Sequence, residues 1–278
     1  MALAGCNQIF GLGKTQPAVY DAPIDAPYRC PPGGTGTAPA FSDLFVQVVP
    51  EGDCENYTTS LPAGNVTVAT CSTTTGAQMI ETSAIDAASL DLTMLTPSAF
   101  DPKLSPEGDE LWIGRTDASN NGVVSVYTPA GAGWQLAFDA YTVAGLPYVS
   151  PSTPMKKGTP RRELYTDNSE VHELDEYAPG KWRDTGMTFT APTLGVLTFD
   201  SVPQLSPDGL RIVFSGRSMS VDPQPAIFYA DRPDLSHPFG TAIRLVGPPA
   251  QATYPFMTYD CSRLYFSGLG SILYVPQQ

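Results

Sequence analysis

The chain has 278 residues, 42% of them hydrophobic and 15% charged, with 25 Gly, 28 Pro and a formal net charge of −13. That length can bury a sizeable core as one large domain or two small ones, and a mean hydropathy of −0.10 excludes a multi-span helical membrane protein. The acidic balance repels phosphate and disfavours sequence-independent binding of nucleic acid, while the Gly and Pro content predicts a turn-rich chain with few long surface helices.

At the start of the chain, "LAGC" (Leu3–Cys6) resembles the lipobox of bacterial lipoproteins. The resemblance implies a lipid on Cys6 and, with Asn7 rather than Asp after it, no retention at the inner membrane. Such a signal needs a basic stretch and an apolar stretch of about 7–15 residues ahead of the Cys. Met1 lies too close to Cys6 to supply them. The expectation is a start further upstream and an outer-membrane lipoprotein on the periplasmic or surface face; with Met1 as the true start, the protein is cytoplasmic. Residues 13–39 are rich in Pro, Gly, Ala and Thr without periodicity. They read as an extended tether that completes an N-terminal segment, 1–39, ahead of one folded domain over 40–278.

With Cys6 lipidated, Cys30, Cys54, Cys71 and Cys261 remain. No CxxC pair occurs and only His172 and His237 are present, so neither a metal nor a cofactor is expected. An even number in an exported chain predicts two disulfides. Cys54–Cys71 would clip a local hairpin, and Cys30–Cys261 would join the two ends of the domain. Four free thiols in a cytosolic chain are the alternative.

The predicted strands begin at "FSDLFVQVVP" (Phe41–Pro50), which has no partner nearby in the chain. A first group follows: "YTTSLPAGNVTVATC" (Tyr57–Cys71), "AQMIET" and "LDLTML". Next comes "DPKLSPEGDELWIGR" (Asp101–Arg115), whose Ser, Pro and Gly suit a tight turn between two strands, then "VVSVYT" and "WQLAFD". Pro147–Asp167 carries a third copy with a longer turn, followed by "EVHELDEY" and "KWRDTG". "VPQLSPDGLRIVFSG" (Val202–Gly216) opens the fourth, with "AIFYAD" and Ala242–Gly247. "YPFMTYDCSRLYFSG" (Tyr254–Gly268) and "SILYVP" make a fifth that lacks one strand. The turn positions Gly64, Gly108, Gly158, Gly209 and Ser262 are separated by 44, 50, 51 and 53 residues. Units of four antiparallel strands at that period predict an all-β, five-bladed antiparallel β-propeller. The orphan strand at Phe41–Pro50 is expected to complete the fifth blade from outside and close the ring.

Pro203–Val246, and less closely Asp101–Tyr127, resemble the WD-like, PD-G repeat of TolB-type β-propellers. The resemblance implies a recognition platform of the kind found in envelope complexes, binding protein, peptide or glycan. Glu107 stands where the repeat has the Asp seen at Asp208. Nothing in the residues specifies an oligomeric state.

Catalysis is not expected. Asp208 and Glu107 recur because the turn uses them. Asp101 and Asp200 lie just before innermost strands and are the candidate carboxylates for an alternative reading, a secreted carbohydrate-active hydrolase. The matching places elsewhere read "GLPY" and "ATYP", without an acid. His237 lies in a loop, and no GxSxG elbow occurs. "GLGKT" at Gly11–Thr15 lacks phosphate-loop spacing. Lys156, Lys157, Arg161 and Arg162 form the one basic cluster, read as a solvated loop. Tyr148, Tyr254 and Phe256 fall near innermost strands, where rings either line a funnel or fill the space between blades.

Overall fold

The computed structural model describes residues 46–49, 54–59, 67–72, 78–80, 90–91, 95–96, 99–131, 133–152, 154–155, 160–167, 170–206, 208–218, 224–245, 248, 251–258, 263–268 and 271–276. Among them, strands pair antiparallel in five sheets. The first is β2 (Cys54–Thr59), β3 (Thr67–Ser72), β4 (Gln78–Ile80) and β5 (Leu90–Asp91). The second is β6 (Phe100–Leu104), β7 (Leu111–Thr116), β8 (Gly122–Ala130) and β9 (Gly133–Val143). The third has β10 (Arg162–Asp167), β11 (Glu170–Ala178) and β12 (Lys181–Thr190). In the fourth, β13 (Val196–Phe199) and β14 (Gln204–Leu205) both pair with β15 (Arg211–Ser218), followed by β16 (Pro225–Asp231) and β17 (Ile243–Arg244). The fifth runs β18 (Thr253–Met257), β19 (Arg263–Gly268), β20 (Ser271–Pro276). Its outer strand is β1 (Val46–Val49), with Val46 opposite Tyr274. The chain is an all-β propeller. Its earliest described strand lies on the sheet made by its last three.

Between sheets, β2 packs against β6 and β18 against both β2 and β15, β14 reaches β10, and the outer strands β9 and β12 also touch. The first strands β2, β6, β14 and β18 are the inner ones. In the second, fourth and fifth sheets the middle strands are buried on both faces, which is why they read as apolar runs instead of alternating with polar residues. Alternation decides only which neighbour a side chain meets. Leu111 and Ile113 pack with Leu104 and Tyr127, whereas Trp112, between them, turns to Val124, Val126, Val149 and Trp182. Between the fourth and fifth sheets, Val213, Ile227 and Tyr229 meet Met257, Leu264 and Phe266. Each fully buried side chain of this size contributes about 1.5–3 kcal/mol relative to exposure.

The third sheet departs from expectation. Its inner segment is not a ladder strand among the described residues, because Pro147, Pro151 and Pro154 have no amide to donate. The fourth sheet's outer strand is shorter than Ala242–Gly247, since the chain runs on into Gly247–Pro248–Pro249.

The repeated phrase has a structural cause. Ser105 donates its amide to the Glu110 carbonyl at 2.8 Å, and its hydroxyl accepts the Glu110 amide at 3.0 Å. Ser206 does the same with Arg211 at 2.8 and 2.9 Å. Thr258 does so with Arg263 at 2.9 and 3.0 Å. Ser152 and Leu164 make the same pair of bonds, both at 3.3 Å, across the longer loop of the third copy. A hydroxyl thus latches each of these four inner segments to the next strand. Gly108 and Gly209 close the two tight turns at φ 74° and 69°, a region that glycine enters without steric penalty.

Candidate functional site

Because each of these four inner segments runs into its latch, its first residues lie at the opposite, leading end of the sheet. Asp101, Tyr148 and Tyr254 each stand four residues before their latch residue. Asp101 and Tyr254 have φ of 49° and 48°, and both precede a proline. The ladder shifts register at the same place in both strands, between Phe100 and Lys103 and between Thr253 and Phe256. Proline removes a ladder amide, and the resulting bulge turns the preceding side chain out of the sheet plane. A non-glycine residue held at such φ costs about 1–3 kcal/mol, which the surrounding structure must over-determine.

At Asp101 it does. The carboxylate accepts a hydrogen bond from the Ser150 hydroxyl, which belongs to the segment leading into the third sheet. That segment is fixed elsewhere as well: the Thr116 hydroxyl donates to the Pro147 carbonyl at 2.6 Å. A Cβ on Gly114 would sit 2.4 Å from the Phe100 ring and 2.7 Å from the Val149 carbonyl oxygen, so only glycine lets these two lie against β7. Between the fixed residues stands Tyr148, 75% exposed, its ring centroid 5.7 Å from that of Phe100 at 60°.

Beneath this corner lie two buried ionisable side chains. Lys103 is 2% exposed; burial lowers its pKa to about 8, against the opposing pull of Asp101 and Glu163. Glu163, on β10, is fully buried, and desolvation pushes its carboxyl up to about 8 although the Ser152 amide donates to Oε1. The Glu163 Oε2 and Tyr141 hydroxyl oxygens are buried without a hydrogen-bond partner among the described residues. Burial, with Glu163 next, drives the Tyr141 hydroxyl well above the usual phenol range.

Asp200 lies between β13 and β14. Its amide donates to the Ser215 carbonyl at 2.8 Å, and Arg217 donates to its carboxylate at 3.4 Å. The two candidate carboxylates are thus held by different partners, Asp101 by Ser150 and Asp200 by Arg217. The acid electrostatically linked to the Asp101 corner is Glu163, through Lys103. Sequence reasoning missed Glu163. Its signal was a carboxylate inside "RELYTD", in a unit whose sheets are buried on both faces.

Other residues singled out from the sequence fall elsewhere. Tyr254 is half-buried and Phe256 is 1% exposed, so of the three candidate rings only Tyr148 is presented. Arg161 is not solvated: it bridges Glu110 at 2.7 Å between the Trp112 and Trp182 rings. Arg162 faces Glu173 and Asp175. Lys156, Lys157, Cys6, Cys30 and Cys261 lie outside the described residues. The register of β2 on β3 sets Cys54 opposite Cys71. His237 and Ser236 both reach Asp234 Oδ1, and the serine hydroxyl meets the same His237 Nδ1, which leaves no relay of the triad kind. Among the described residues no three His, Cys, Asp or Glu side chains are placed to hold a metal ion.

No protein-family model matches the sequence, and no curated protein matches it. Solved structures do. An α-L-arabinofuranosidase from Podospora anserina, in complex with cellotriose, is 9% identical, with 82% of this chain and 91% of that chain covered and a TM-score of 0.51. A TolB from Agrobacterium tumefaciens is 15% identical over 77% of this chain and 69% of its own, with a TM-score of 0.48. A glycosyl hydrolase from Bacteroides ovatus is 13% identical over 83% and 85%, with a TM-score of 0.44. At these identities the likeness is one of fold. The chain shares the β-propeller architecture, on which unrelated functions are built.

Proposed function

We propose that this protein is a binding platform of the bacterial cell envelope, carried on the membrane by a lipid at Cys6, which engages a protein, peptide or glycan at the leading end of its inner strands without catalysis. One observation carries the reading: Tyr148 is 75% exposed while the backbone around it is fixed by Thr116, Ser150 and the Gly114 contact. A rigid, presented aromatic makes contact area with little ordering entropy left to lose. The envelope placement rests on Leu3–Cys6 and the tether after it. The hydrolase reading would need carboxylates flanking one scissile bond. Asp101 and Asp200 are engaged by separate partners, and Glu163, the acid linked to Asp101, is fully buried.

The test is a printed array of defined glycans and peptides, probed with the labelled full chain and with Tyr148→Ala. Binding that disappears in the variant supports the platform. Turnover of nitrophenyl glycosides that is lost in both Asp101→Asn and Asp200→Asn would replace it with the hydrolase.

A further inference from the structure

We propose that the folded chain cuts its own backbone between Asp101 and Pro102, with the Asp101 carboxylate as nucleophile and held backbone strain lowering the barrier. This goes beyond the platform reading and does not depend on it.

Among the described residues, four that are not glycine hold a positive φ: Asp101, Asn120, Gln251 and Tyr254. Only Asp101 and Tyr254 precede proline, and of these only Asp101 carries a nucleophile beside its own carbonyl carbon. A carboxylate oxygen that adds to that carbon closes a small ring, and attack within one residue avoids the entropy cost of bringing two reactants together. Proline nitrogen is more basic than an ordinary peptide nitrogen and leaves more readily. Tyr254–Pro255 has the same backbone without the nucleophile and stays intact.

The intact chain cannot shed the strain. A residue before proline is driven towards extended backbone, yet Asp101 stands at φ 49°. Phe100 is wedged against Gly114, Ser150 is bonded to the Asp101 side chain, and Lys103 is 2% exposed. With both flanks fixed, the crowding eases only as the carbonyl carbon turns tetrahedral and the bond to proline parts. Such strain raises the ground state more than the transition state. The cut falls inside the bulge, where the ladder passes from Phe100 to Lys103, so no ladder hydrogen bond is lost with it. The attacking oxygen gives up whatever hydrogen bond it holds, so the step needs no idle acceptor on Asp101.

The step balances as a hydrolysis. As the new C–O bond forms, the C–N bond breaks and its electron pair stays on the Pro102 nitrogen, which takes a proton from water. The hydroxide left behind opens the cyclic anhydride and makes Asp101 a C-terminus with two carboxyl groups. One water is consumed, and nothing is oxidised or reduced. The pieces stay assembled, because β1 is paired with β20 and β2 packs against β18.

The experiment follows the intact mass of the full chain over time at mildly acidic pH, folded and in urea. Fragments 1–101 and 102–278 should appear faster in the folded chain than in urea, on the order of tenfold or more, the gain that relieved strain of this kind supplies. The one other Asp–Pro pair, Asp222–Pro223, lies outside the described residues and calibrates the chemistry in the same tube. Asp101→Asn and Pro102→Ala should each slow the cut at least as much, and the two fragments should elute together without denaturant. Cleavage no faster in the folded chain than in urea overturns the proposal. So does an unchanged rate in Asp101→Asn, which would mark an outside protease. Should that variant fail to fold by circular dichroism, the folded-to-urea ratio of the parent chain decides alone.

Discussion

Arg232 and Glu173, each about 1% exposed, meet at 2.5 Å across the boundary between the third and fourth sheets. The guanidinium also donates to the Gly209 carbonyl and lies over the Phe239 ring, and a second arginine, Arg162, faces the same glutamate. Burial alone raises the Glu173 carboxyl and lowers the Arg232 guanidinium; each partner opposes the other's shift. The pair is a fixed rivet at a boundary where Leu164, Val171 and Phe189 pack with Leu205, Ile212 and Phe239.

Removing one half of that rivet should be severe. Glu173→Leu leaves a buried guanidinium without its closest counter-charge and should cost about 3–5 kcal/mol. The double variant Glu173→Leu/Arg232→Met should recover much of the loss. Urea unfolding of the four corners of the cycle measures this; a double variant as unstable as Glu173→Leu would show that the cost comes from packing instead.

The hydroxyl latches should be separable from the turn prolines and acids. Ser206→Ala strands the Arg211 amide and should cost about 1–3 kcal/mol. Ser206→Thr should cost far less, since Thr258 fills the equivalent place in the fifth sheet. Thermal unfolding of the two variants, which should differ by several degrees on the scale of about 2–4 °C per kcal/mol, decides it.

Much of this was legible in the sequence. The Ser-Pro-acid-Gly phrases marked where inner strands turn, and the strand runs after them fell in the sheets as expected. What the phrase meant was less visible. The serine hydroxyl is the repeated working part, while the acid varies: Asp208 takes the Ser206 hydroxyl, and Asp109, not Glu107, takes that of Ser105. In the third copy, Gly158 looked like the turn marker by spacing, but the latch is made by Ser152. The candidate site was half legible. Position along the strand pointed to Asp101 and Tyr148, whereas Ser150, Lys103 and Glu163 converge only through contact between neighbouring sheets, which no local pattern encodes.

Gly209→Ala should destabilise more than Gly133→Ala. A Cβ at Gly209 would lie 2.8 Å from Leu235 at φ 69°, while at Gly133 it would meet nothing within 4 Å. A loss of about 1–3 kcal/mol is expected for the former and near zero for the latter, read from denaturation midpoints. Equal losses would contradict the crowding at Gly209.

Stability should fall as pH rises from about 4.5 to about 8, because the folded state holds Glu163 protonated and the unfolded chain does not. The raised carboxyl helps below its unfolded pKa and is lost as a stabilising group through its folded one. Glu163→Gln removes the titration, so its melting temperature relative to the parent chain should climb across that window. A pH-independent difference would mean that Glu163 stays ionised when buried.

Cys54 and Cys71 should be found linked. Their opposition in the β2–β3 register is the placement a local clip requires. Peptide mapping by mass without reductant would give one cross-linked fragment; two separately alkylated peptides would exclude it.

The pairing of β1 with β20 also sets a timetable. Val46 leaves the ribosome long before its partner Tyr274, which is made 228 positions later. At about 5–20 residues per second the earlier strand waits tens of seconds with its edge uncovered. Four sheets can form during synthesis from neighbours in the chain. The fifth is finished only once β20 has emerged, so a truncation that removes β20 should yield a chain that folds its other blades and aggregates through the remaining edge.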